Sequence, residues 1–118
     1  LKTYSKRFVD VVPIKVDVFR SYVNNTAHAL ERKKRIEEAT DLGDMDYHSS
    51  YLVNLGHTSG MEVHTVYTNG VIAIMNATSF KLITVLIARP GQLRRYGITD
   101  EALLRLARKH QEEDRNNH

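Results

Sequence analysis

Cysteine is absent from this 118-residue chain. That excludes disulfides, thiolate zinc sites and cysteine nucleophiles, and leaves the redox compartment open. No apolar run approaches the ~20 residues that a membrane-spanning helix needs. The opening Leu-Lys-Thr-Tyr-Ser-Lys-Arg lacks the apolar stretch of a secretory signal and carries no initiator Met. A trimmed chain, or a fragment of something longer, is expected. Glycine-rich phosphate loops of the G-x-x-x-x-G-K and G-x-G-x-x-G kinds are missing, and no serine sits in a nucleophile elbow. Nucleotide-driven enzymes and serine hydrolases are therefore disfavoured.

Basic charge is missing from the middle of the chain. Residues 36–80 hold no Lys or Arg and six Asp/Glu. Residues 2–35 hold nine Lys/Arg against three Asp/Glu, and residues 81–118 hold eight against five. The net charge of +3 thus comes from two separated blocks. If the fold unites them, the resulting face attracts a polyanion such as nucleic acid. A solvated surface with scattered ion pairs is the plainer alternative. The hydrophobic fraction of 42% is enough for one core, so a single domain over 1–118 is expected.

Residues 8–18 are rich in β-branched types, and Pro13 limits them to an edge strand or an extended segment. A short helix over 15–23 is the alternative, and residues 1–25 have no clear place in the fold. Asn25 or Thr26 reads as the N-cap of a helix over 27–40, with Gly43 as its stop. His28, Arg32 and Arg35 share one face of that helix, and Ala29 and Ile36 share another. Tyr47–Leu55 is either a short helix or a strand, and 56–60 a loop. Glu62–Thr68, Val71–Met75 and Leu82–Ala88 read as a three-stranded antiparallel meander. Asn69-Gly70 predicts a type I′ hairpin between its first two strands. In the last strand Ile83, Val85 and Ile87 should point one way, and Leu82, Thr84, Leu86 and Ala88 the other. The middle strand is apolar on both faces, so a cover is needed on each. After a loop at Arg89-Pro90-Gly91, Thr99 is expected to cap a final helix over 100–113, with residues 112–118 frayed. The fold class is α+β: a helix, a meander of three to five strands and a C-terminal helix.

Three constellations could carry chemistry. His28 and Arg32, one turn apart, offer an imidazole and a guanidinium to the same phosphate. Metal-independent RNA cleavage needs a base for the ribose 2′-OH, cations for the phosphorane, and an acid for the leaving 5′ oxygen. A fixed donor on that developing charge is worth roughly 3 kcal/mol. Thr84 is the one hydroxyl in an apolar strand. Arg89, Gln92, Arg94, Arg95 and Tyr96 mix cations, an amide and a ring, which suits gripping phosphates and stacking bases. Plain structural roles are open to each: a wet helix face, a good β-former and a solvated loop. His48, His57 and His64 match no compact zinc spacing, so no metal and no cofactor is expected.

Thr26-Ala-His-Ala-Leu-Glu-Arg32, Asn69-Gly-Val-Ile-Ala-Ile74 and Leu82-Ile-Thr-Val85 together resemble the barnase/EndoU/colicin/RelE-type ribonuclease toxins. The resemblance covers roughly residues 26–97. It implies a metal-independent endoribonuclease acting on tRNA or mRNA, with His28, Arg32, Thr84 and Arg89 catalytic. Arg35, Gln92, Arg94, Arg95 and Tyr96 would bind RNA. It also implies a cytoplasmic site of action, no membrane partner, and an acidic antitoxin or immunity protein. A non-catalytic phage or mobile-element module, binding nucleic acid or a protein through the same basic surface, is the alternative.

Overall fold

Val71-Ile-Ala-Ile-Met75 presents apolar side chains to both faces of its sheet, and burying each is worth ~1.5–3 kcal/mol. The fold satisfies both faces. The computed structural model describes residues 10–18, 24–25, 27–39, 46–56 and 60–116. Its strands are β1 (Asp10–Ile14), β2 (Asn24–Asn25), β3 (Tyr47–Asn54), β4 (Met61–Tyr67), β5 (Val71–Asn76) and β6 (Lys81–Ile87). Its helices are α1 (Ala27–Ala39), α2 (Pro90–Arg95) and α3 (Glu101–Asn116). The six strands lie in the order β1-β3-β4-β5-β6-β2, antiparallel except for the short parallel β2–β6 pair. This is an α+β domain. Among the described residues no helix is long and apolar enough to cross a membrane.

The two faces of the sheet hold two cores. Val71, Ala73 and Met75 pack with Ala29 and Ile36 of α1, and with Val18 from the segment after β1. Ile72 and Ile74 pack on the other side with Leu93, Leu103, Leu104 and Ala107 of α2 and α3. The thin stripe of α1 is therefore enough, because the helix shares its face of the sheet with residues 14–18. That segment is fixed by hydrogen bonds: Thr65 Oγ1 donates to the Val16 carbonyl at 3.1 Å, and Ser50 Oγ donates to the same oxygen.

The strand alternative at 47–55 and the edge-strand alternative at 8–18 hold, and several other elements differ from their sequence reading. Tyr47–Asn54 is a strand, and its pairing with both β1 and β4 extends the meander. β1 is the edge, where Pro13 costs no ladder bond on its outer side. The Asn69-Gly70 hairpin is not type I′, because Gly70 has φ +86° while Asn69 is not at positive φ. Gly70 N–H donates to the Tyr67 carbonyl at 3.0 Å, leaving a three-residue loop that ends in a left-handed glycine. β6 carries an irregularity: Ile74 pairs with Thr84 but Met75 pairs with Leu82. The skipped residue, Ile83, breaks the alternation, so Leu82 joins Val85 and Ile87 on the α1 face while Ile83 and Leu86 face α3.

Arg89-Pro90-Gly91 opens a short helix instead of a loop, with Pro90 at its first turn. The cap of α3 is Asp100, not Thr99: Asp100 Oδ1 accepts the N–H groups of Ala102 and Leu103 at 3.0 and 3.3 Å. α3 continues to Asn116 where fraying was expected. The proposed stop at Gly43 and the cap at Thr26 lie outside the described residues, as does most of the alternative helix over 15–23.

Candidate functional site

The described part of β2 covers only Lys81 and Leu82, so the rest of that edge of β6 has no strand beside it among the described residues. α1 lies on one side of this edge and α3 on the other. Between them is a groove of about 690 Å³. α1 contributes Arg32, Arg35 and Ile36, and β6 with its continuation contributes residues 86–89. Gln92 of α2 and His110, Gln111 and Asp114 of α3 complete the wall. The N-terminal and C-terminal basic blocks therefore do meet, across the edge of one strand.

His28 stands on α1 one turn before Arg32. Its Nε2 lies 3.3 Å from Thr84 Oγ1, two residues before the groove-lining Leu86. α1 runs along the exposed edge of β6, so an exposed imidazole reaches a hydroxyl 56 residues away. Thr84 is both donor and acceptor, so it can partner His28 in either protonation state.

The cations are not all free. Arg35 pairs with Glu31 at 2.5 Å on the same helix. Arg89 Nη2 pairs with Asp114 Oδ2 at 3.3 Å, with both side chains more than half exposed. Pairs this wet are worth ~0–1 kcal/mol and exchange readily for a better anion. No family model, curated protein or solved structure matches the chain. The case for this site therefore rests on its geometry.

Of the residues expected at the site, Arg32, Arg35, Arg89 and Gln92 line the groove, while His28 and Thr84 meet outside its lining, one helical turn before Arg32 and two residues before Leu86. Arg94 and Arg95 are exposed on α2 but do not line it. Tyr96 offers no ring for base stacking. It is 6% exposed, stacked on Tyr51 with centroids 4.8 Å apart. Its hydroxyl lies 2.7 Å from His64 Nδ1, and His64 Nε2 lies 2.9 Å from Glu62 Oε1. Burial pushes the Tyr96 hydroxyl well above the ordinary tyrosine range, opposed by a hydrogen bond from Gln92. His64 thus spends both ring nitrogens inside the core. Among the described residues no group of three His, Cys, Asp or Glu is placed to hold a metal.

His110, Gln111 and Asp114 were not anticipated at the site. Helical spacing puts His110 in line with Leu103, Leu106 and Ala107, as part of an apolar stripe on the last helix. Its ring instead lies between core and groove: Nδ1 is buried without a partner, and the ring packs against Gly70. A polar residue ending an apolar stripe was the one available signal.

Proposed function

We propose that the protein is a metal-independent endoribonuclease whose reacting phosphate lies at His28 and Thr84. The observation that carries this reading is the 3.3 Å approach of His28 Nε2 to Thr84 Oγ1 at the end of an arginine-lined groove. His28 Nε2 takes the proton of the ribose 2′-OH. The freed oxygen attacks phosphorus, the bond to the 5′ oxygen breaks, the leaving oxygen takes a proton from water, and the hydroxide left behind takes the proton held on His28. The products are a 2′,3′-cyclic phosphate and a 5′-hydroxyl. Arg32, one turn along, neutralises the charge that grows on the phosphoryl oxygens. Thr84 positions the imidazole and the phosphate. If the enzyme acts as a toxin, an acidic inhibitor protein accompanies it, because free activity would harm the host.

The same groove arginines also suit a second reading, a module that binds RNA without cutting it. One experiment separates the two. Wild type and His28→Ala are incubated with total RNA in EDTA, and the ends are analysed. Cyclic phosphate ends from the wild type alone support the nuclease. RNA binding by both proteins with equal salt dependence, and no new ends, supports the module.

A further inference from the structure

The groove is longer than one phosphate needs. From Thr84 to Ala88 the strand advances ~13 Å, and from His28 to Arg35 the helix advances ~10 Å. A stacked single strand carries one phosphate per ~3.4 Å of rise. Arg89 lies beyond the end of β6, with Arg35 across the groove and His110 on the third wall. His110 lines this end of the groove with its ring held against Gly70 and its buried Nδ1 without a partner. An unpaired buried nitrogen costs ~1–3 kcal/mol, a penalty that folds retain chiefly where a group has other work. Asp114 meanwhile occupies Arg89 with an exposed, weakly held carboxylate.

We propose that this far end of the groove is a second phosphate subsite. Arg89, flanked by Arg35 and His110, holds a phosphate of the same RNA strand about three or four nucleotides from the one at His28 and Thr84. Asp114 is the counter-ion that this phosphate displaces. The substrate is then a single strand of several nucleotides, not a dinucleotide. The inference rests on the nuclease reading above.

The test uses a synthetic 20-nucleotide single-stranded RNA whose cut site has been mapped with the wild type. A series of the same RNA carries one neutral methylphosphonate at each linkage from one to five on either side of the cut. On wild type, one position about three or four linkages away should raise KM about ten-fold, the worth of one charge-assisted contact. Arg89→Gln should raise KM on the unmodified RNA by a similar factor and lose its sensitivity at that position. Asp114→Asn, which leaves the cation in place, should lower KM. No sensitivity at any linkage three or four from the cut, or an Arg89→Gln enzyme as sensitive as wild type, overturns the subsite while leaving the nuclease intact. A wild type that cuts no RNA overturns the nuclease reading itself, and the subsite with it.

Discussion

His48 Nε2 lies 3.3 Å from Asp100 Oδ2, so one carboxylate both caps α3 and ties it to β3. The register shift between Tyr47 and Ser49 makes this possible, because it re-aims a residue of β3 toward the helix. His48 Nδ1 is 2.7 Å from Ser49 Oγ, which also accepts the Tyr51 hydroxyl. The hydrogen bond from the Leu103 N–H, with His48 adding to it, holds the Asp100 carboxyl below the usual carboxylate range. A depressed carboxyl stabilises the fold above its unfolded pKa, and that contribution disappears as pH falls through its folded pKa. Asp100→Ala should therefore lower stability at neutral pH and flatten its decline in acid. Urea midpoints measured from pH 7 down to pH 2 give the comparison; parallel curves for the two proteins contradict it.

Tyr96→Phe should cost about 1–3 kcal/mol, because it keeps the stacked ring but leaves buried His64 without its Nδ1 partner. Tyr51→Phe, which removes only a half-buried hydrogen bond to Ser49, should cost about 1 kcal/mol or less. Chemical denaturation of the two variants side by side checks the order.

Phe80 is the one described non-glycine residue at positive φ, at 60°, and its side chain is half exposed. A bulky residue there is strained and gains little from packing. Phe80→Asn should raise stability by about 0.5–1 kcal/mol. A denaturation midpoint at or below that of wild type argues against strain at this turn.

Gly70→Ala meets two obstacles. The backbone is left-handed, and the added Cβ would lie 3.4 Å from the His110 ring. A loss of about 1–2 kcal/mol is expected from the backbone alone. Because His110 must shift as well, RNA affinity should fall in the same variant, read by fluorescence anisotropy with a labelled RNA.

Thr84→Val preserves shape and β-propensity, and stability should stay within about 0.5 kcal/mol of wild type. If His28 and Thr84 act together, RNA cleavage should fall sharply in this variant. His28→Ala should lose about 100- to 10,000-fold. Full cleavage by Thr84→Val would reduce the hydroxyl to a structural role.

The sequence made some of this legible and hid the rest for identifiable reasons. His28, Arg32 and Arg35 were visible because 3.6-residue periodicity puts them on one helical face. Thr84 stood out as a hydroxyl among Leu, Ile and Val. Tyr96 misled because an aromatic among arginines reads the same whether its ring faces water or the core. Leu82 changed faces because a bulge leaves no mark in a run of apolar residues. His110 reads as the end of an apolar stripe and Asp114 as part of a frayed terminus, since nothing local records what lies across from them.

The amino-acid order alone determined where the chain turns, which strand needed two covers, and that the basic residues come in two blocks. These follow from forces acting over a few residues: backbone sterics, side-chain alternation and helix capping. Tertiary structure decided that α1 and α3 flank the edge of β6, that His28 finds Thr84, and that Asp114 restrains Arg89. Those relations join residues distant along the chain, and only the packing of two helices on opposite faces of one sheet brings them within reach.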